Sequence, residues 1–189
     1  VQHWTLSNGD KVVWLKSPLA KDKTYFQAQS SAGFKAKGLG EWQSQVTLQL
    51  IAQNAPLDWE FEQLKHWKEL NKVNLSMKQT ATRLLLEGTV DNTKLADLLR
   101  LVYAYQVETK VKDGLDETKE RLAKMAASQN AKNSENERLK AISMLRYNQE
   151  NIEMSLPNKS SLDQLNEKSL NDEWAKMLQA PMTYYFVND

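Results

Sequence analysis

The chain has 189 residues, a net charge of +1, 41% hydrophobic residues and no cysteine. That length fits one large domain or at most two small ones, and the apolar content supplies a sizeable core. The balanced charge gives no electrostatic reason to expect nucleic acid or an anionic membrane, the lack of cysteine excludes disulfides and thiolate metal sites, and no apolar run approaches the roughly 18 residues that span a bilayer.

Trp4 to Leu15 reads as strand, tight turn, strand. Asn8-Gly9 is expected to supply the positive φ angles of a two-residue hairpin turn. Lys11 to Lys16, rich in Val and Trp, reads as a strand covered on both faces. Tyr25 to Ala32 is the next strand, with Phe26, Ala28, Ser30 and Ala32 on one face and Tyr25, Gln27, Gln29 and Ser31 on the other. Gly33, Gly38 and Gly40 mark a loop. A helix follows from about Gly40 to Gln53, with Leu39, Trp42, Val46 and Leu50 on one stripe. Pro56 interrupts it, and Leu57, Phe61 and Leu64 start a second helix that runs to about Leu70.

Val73, Leu75 and Met77, then Leu84, Leu86 and Val90, alternate as a second hairpin. Asp91 or Asn92 caps a helix whose stripe is Leu95, Leu98, Leu99, Val102 and Tyr105. Another helix spans about Asp116 to Ser128, with Glu117–Arg121 and Glu120–Lys124 as i,i+4 pairs. Ser134 with Glu137 caps a helix carrying Leu139, Ile142 and Leu145. Ser161 with Gln164 caps a last one running to about Leu178. Thr183 to Val187 closes the chain as a strand. Strands are missing between the second hairpin and this last one, so a parallel βαβ series is not expected. The order fits the α+β class, a mostly antiparallel sheet of five or six strands with helices on one face.

The inventory of reactive side chains is thin. Only His3 and His66 exist, so a Ser-His-Asp site or a His-rich zinc site is poorly supplied. His66 lies one turn after Glu62, which reads as a solvated helix face. The loop glycines do not have phosphate-cradle spacing. Trp4, Trp14 and Trp42 fall in apolar patterns and read as core. Trp59 and Trp67 lie two turns apart on the second helix and form a candidate ridge against another domain. The charge-rich run Asp113 to Lys124 reads as a solvated face.

Three segments together resemble a known family. Trp4, Leu6, Asn8, Gly9 and Val12 are similar to the opening of a domain of the M16 (insulinase/pitrilysin-like) zinc metallopeptidases. Ser30-Ser31-Ala32-Gly33 resembles the strand that ends before that family's first long helix, and Met182 to Asp189 resembles its final strand. The resemblance implies the LuxS/MPP-like metallohydrolase fold over residues 1–189 as a single domain. The family signature, His-x-x-Glu-His on the first helix, falls on Glu41-Trp42-Gln43-Ser44-Gln45 after Gly38-Leu39-Gly40. Its histidine positions therefore hold Glu41 and Gln45, and its catalytic glutamate position holds Ser44. The family's third ligand would fall near Glu117 or Glu120. Gln45 is a weak donor and Ser44 cannot take a proton from a metal-bound water at neutral pH. Arg146-Tyr147 are adjacent and do not match the Arg and Tyr that the opposite half of such enzymes contributes.

The resemblance thus implies a non-catalytic domain with no zinc of its own and no catalytic or metal-binding residue. Zinc is expected in a sister domain, and a peptide substrate in the parent protein. The chain, which begins at Val1 and stops just after an apolar strand, is expected to be a piece of a longer bacterial protein, periplasmic or secreted, in which it is the third of four domains. It would wall a peptide-enclosing chamber and pack on its sisters. A structural scaffold of the same fold, with no peptidase activity in its parent, is the alternative.

Overall fold

The computed structural model describes residues 1–130 and 157–189. The helix expected around Leu139, Ile142 and Leu145, its Ser134–Glu137 cap and the Arg146-Tyr147 pair lie outside the described residues. The strands are β1 (Gln2–Thr5), β2 (Lys11–Lys16), β3 (Lys23–Ser30), β4 (Ser76–Gln79), β5 (Leu84–Asp91) and β6 (Thr183–Asn188). The helices are α1 (Glu41–Gln53), α2 (Phe61–Asn71), α3 (Leu95–Tyr103), α4 (Leu115–Asn130), α5 (Lys159–Asp163) and α6 (Glu167–Leu178).

The strands form one six-stranded sheet in the order β1-β2-β6-β3-β5-β4. Every neighbouring pair is antiparallel except β2 with β6, which is parallel. The sheet is therefore mixed, and the fold is α+β. β6 slots between β2 and β3, two strands adjacent in sequence. The wide connection that leaves room for it passes through a 3-10 turn at Pro18–Ala20 and two left-handed residues, Lys21 and Asp22.

Pleating divides the sheet into two faces. Thr24, Phe26, Ala28 and Ser30 of β3 and Leu84, Leu86 and Val90 of β5 point to the buried side. There they meet Trp42, Val46, Leu50 and Ile51 of α1, Leu98, Leu101 and Val102 of α3, and Leu170, Trp174 and Met177 of α6. The opposite face carries Tyr25, Gln27 and Gln29, which are exposed or half-buried.

Several local expectations change. The first hairpin turns on Ser7 and Asn8, closed by Gly9 N–H donating to the Leu6 carbonyl at 3.0 Å, with Leu6 N–H donating to Asp10 O at 2.7 Å. Only Gly9 has positive φ, +89°, so the loop is a three-residue turn with a glycine bulge rather than a two-residue turn. β2 is not covered on both faces: Lys11, Leu15 and Lys16 are exposed. Trp4 and Trp14 are not core residues either. They stack on each other, ring centroids 6.4 Å apart, and Trp4 stays 46% exposed. Among the described residues, the buried cluster contains no β1 or β2 residue.

The last helical segment is two helices. Asn158 caps α5 by accepting from Ser161 N–H, and Asn166 with Ser169 forms the capping box of α6. Ser161 and Gln164 are not that cap, since asparagine in both true cap positions offers a side-chain oxygen at the right reach. α3 starts after a 3-10 turn at Asn92–Lys94, and it runs into a π-helical turn at Ala104–Glu108.

Candidate functional site

The first turn of α1 is where the family signature would sit. Gly40 is its N-cap and has no side chain to offer. Glu173 of α6, only 7% exposed, takes that role: its Oε1 accepts the Gly40 N–H at 2.7 Å. A carboxylate at a helix N-terminus also opposes the positive end of the helix dipole. Glu41 pairs with Lys35 at 2.7 Å. Ser44 is fully buried, its Oγ lying 3.2 Å from both the Glu41 carbonyl and Gln79 Oε1. Gln79 in turn donates through Nε2 to the Ala32 carbonyl at 3.0 Å. These bonds stitch α1 to the edge strand β4 and to the loop leaving β3.

That loop is pressed close. Phe34 and Lys35 N–H donate to Thr80 O and Ala81 O, and a Cβ on Gly33 would lie 2.3 Å from the Ala81 carbonyl oxygen. Only glycine fits there. Gln45 is half-buried on the rim of a shallow groove shared with Leu48, Gln49, Met77 and Gln79. Glu117 and Glu120 are exposed on α4, and Glu120 pairs with Lys124 at 2.8 Å. Arg121 donates to Gln49 Oε1 at 3.0 Å.

A zinc site needs several convergent nitrogen, oxygen or sulfur donors with room for water. Here the carboxylate of Glu41 faces a lysine, the hydroxyl of Ser44 lies inside the packing, and Gln45 offers a neutral amide. Among the described residues, no group of three or more His, Cys, Asp or Glu side chains is placed to share a metal. These residues do not fit a catalytic zinc. His66 lies exposed on α2, the helix whose Glu62 is 3.7 Å from Lys65.

Trp59 and Trp67 are not on one helix. Trp59 precedes α2, in the Pro56–Glu60 loop, and Trp67 is half-buried on α2. Both nevertheless line one apolar groove of about 660 Å³, together with Leu57, Leu99 and Tyr103. Leu57, expected on the helical stripe, has φ +51° and lies outside the helix. Leu99 faces the groove instead of the core. The periodicity of α3 pointed to an apolar face wide enough for both, and only packing decides which edge stays outside.

The sheet face opposite the buried cluster, left uncovered by the described residues, is a third feature. Gln27 donates to Glu87 Oε1 at 2.8 Å while Lys78 pairs with Glu87 Oε2 at 2.6 Å. These two bonds, that of Lys78 first, hold the Glu87 carboxyl below its ordinary range. Arg83 donates to Gln29, and Gln29 donates to the Tyr185 hydroxyl at 3.0 Å. Tyr25, Thr89 and Val187 complete an open depression of about 560 Å³ with Gln27, Glu87 and Tyr185.

Sequence reasoning missed Glu173, whose role depends on a helix far along the chain. It also missed Asn54, which is buried, accepts from Lys112 and Asp113 N–H and donates to the Leu50 and Asp113 carbonyls. An asparagine between a helix and Pro56 was a visible signal for the second.

No protein-family model and no curated protein sequence matches the chain. Solved structures do match. The ferredoxin protease FusC, solved in complex with Arabidopsis ferredoxin, is 34% identical over 99% of this chain with a TM-score of 0.86. The periplasmic protease PqqL from Escherichia coli is 16% identical over 99% of the chain, with a TM-score of 0.81. A peptidase M16 inactive domain from Pseudomonas fluorescens is 12% identical over the whole chain, with a TM-score of 0.74. This chain spans 21% of the FusC and PqqL chains and 46% of the Pseudomonas one. No helix among the described residues is long and apolar enough to cross a membrane.

Proposed function

The chain is an M16-like domain without the His-x-x-Glu-His signature, and from that premise we propose that it serves a multi-domain zinc endopeptidase as a wall of the peptide-enclosing chamber. The zinc belongs to a sister domain in this reading, and the parent works in the periplasm or outside the cell. The observation that carries the proposal is the asymmetry of the sheet. Helices fill one face, while the other presents Tyr25 and Tyr185 among amide and carboxylate groups that can bond to an extended backbone. Such a surface holds many peptides without reading one sequence.

The test uses the polypeptide that carries this chain, and the 189-residue chain alone. Replacing Tyr25 and Tyr185 together by alanine is expected to raise KM for an unfolded peptide about thirtyfold, since each ring offers contact area worth about 1 kcal/mol. The 189-residue chain is expected to hold no stoichiometric zinc and to cleave nothing. Unchanged KM, or one tightly held zinc in the isolated chain, overturns the proposal. A parent that binds peptide but never cleaves it moves the assignment to the structural scaffold.

A further inference from the structure

The sheet face left open by the described residues is apolar at one end and cationic at the other. Residues paired across neighbouring strands share a face, so the register sorts their side chains into rows. One row runs Leu15, Val187, Tyr25 and Thr89 across β2, β6, β3 and β5. Leu15 is 40% exposed in it and Tyr25 48%. Two positions along the strands come Tyr185, Gln27 and Glu87. Two positions beyond those come Lys11, Thr183, Gln29, Leu85 and Lys78. Arg83, just before β5, reaches this last row by donating to Gln29 Oε1 at 2.7 Å. That bond uses one of the five N–H donors of the guanidinium.

The charges on this face are unevenly matched. Both Glu87 oxygens are engaged, by Gln27 and by Lys78. Beyond the apolar row Lys23 pairs with Asp91, and Asp189 accepts from the Asp22 N–H and the Asn92 amide. Asp10, next to Lys11, accepts from the Met182 N–H and the Asn8 amide. Arg83 and Lys11 are exposed and have no carboxylate partner among the described residues. An extended segment lying along β3 advances about 3.3 Å per residue and turns every second side chain toward the sheet. Tyr25 and Gln29, four residues apart, are therefore about 13 Å apart. A side chain resting on Leu15, Val187 and Tyr25 has its fourth neighbour above Arg83. We infer that this face selects extended segments in which an apolar residue and an Asp or Glu stand four positions apart. The Arg83 guanidinium takes the carboxylate in a charge-assisted bond, and Lys11, two strands from Gln29 or about 10 Å, adds to the attraction. Two unmatched cations are too few to hold a nucleic acid at physiological salt, where affinity grows with the number of phosphates neutralised. The inference rests on the reading of this face as a chamber wall and names its substrate class, acidic unfolded peptides.

Synthetic unstructured peptides carrying Leu and, four positions on, Glu, Gln or Lys test it on the polypeptide that carries this chain. Binding is read by fluorescence anisotropy with a chelator present, so that no peptide is cleaved. At low salt the Glu peptide is expected to bind about fivefold more tightly than the Gln peptide, and the Lys peptide more weakly than either. The preference should fade at high salt. Arg83→Gln should bring the Glu peptide down to the Gln peptide and leave the Gln peptide unchanged. Arg83→Glu should make the Lys peptide the tightest, a reversal that a merely structural arginine would not produce. Equal binding of the peptides by the unaltered protein overturns the inference, as does an Arg83 variant that weakens all of them alike. A Glu preference that persists when Glu stands two positions from Leu removes the spacing and overturns it too. Displacement of the Glu peptide by oligo(dT) as readily as by unlabelled peptide would make the face a general anion surface, with the same consequence. Peptides that bind without charge preference but lose affinity in Tyr25→Ala with Tyr185→Ala leave the chamber wall standing and overturn the charge selection. An Arg83-dependent Glu preference in a parent that never cleaves peptide supports the selection and overturns only the peptidase reading.

Discussion

The first turn of α1 and the groove beside α2 differ in what satisfies them. At α1, two of the groups in the signature positions are engaged inside the chain, Glu41 by Lys35 and Ser44 by Gln79, and the Gly40 N–H just before them by Glu173. At the groove, Leu57, Trp59, Leu99 and Tyr103 stay in water, and a strained backbone keeps one of them there. A site whose groups are mutually satisfied has become part of the scaffold. A surface that leaves apolar area unsatisfied looks outward. The contrast is between a region whose polar groups are bonded within the chain and one whose apolar groups stay partly exposed.

The largest effect is expected at α1. Glu173→Ala leaves the Gly40 N–H without its buried acceptor and removes a charge from the positive end of the helix. Chemical denaturation should show a loss of about 1–3 kcal/mol. Glu173→Gln keeps an oxygen within reach and should lose less than half as much. Equal losses from the two variants would mean that charge, rather than the hydrogen bond, secures this turn. A negligible loss from both would break the contrast between a satisfied α1 and an unsatisfied groove.

Much of the fold was legible because it rests on period. The alternation of Phe26, Ala28 and Ser30 and of Leu84, Leu86 and Val90 identified β3 and β5 and their buried faces. The residue types at Glu41, Ser44 and Gln45 could be read directly, whereas the partners of the first two, Lys35 and Gln79, could not. What failed was anything decided by a distant partner. Trp4 and Trp14 have the pattern of core residues, but they stack on each other outside the buried cluster. The parallel pairing of β2 with β6 joins segments more than 160 residues apart and leaves no local mark. Trp59 and Trp67 line one groove but do not share a helix, because the left-handed Leu57 ends the helical spacing before α2 begins.

An intermediate effect, of opposite sign, is expected at the groove. Leu57→Gly removes the crowding of a side chain at φ +51°, and glycine's extra chain entropy offsets part of the gain. Thermal and chemical unfolding of the 189-residue chain should show stabilisation of about 0.5–1 kcal/mol. A variant that destabilises the chain would place Leu57 among ordinary packing residues and remove the strain argument.

The smallest effect is expected on the open face of the sheet, which resembles α1 in being internally bonded and the groove in being exposed. Lys78 and Gln27 hold the Glu87 carboxyl below the ordinary glutamate value of 4.5. A carboxylate depressed in the folded state favours folding above its unfolded pKa. Its contribution therefore disappears as the pH falls from about 4.5 through the lower folded value. Both partners are substantially exposed, with Lys78 at 54% and Glu87 at 33%, so solvent screens the pair to about 0.5 kcal/mol or less. Glu87→Gln should flatten the acid limb of stability by that amount at low salt and by nothing at high salt. A salt-independent acid effect of more than about 1 kcal/mol would mean that this face is buried against something even in the isolated chain, and the open sheet face could then no longer be set apart from the packed one.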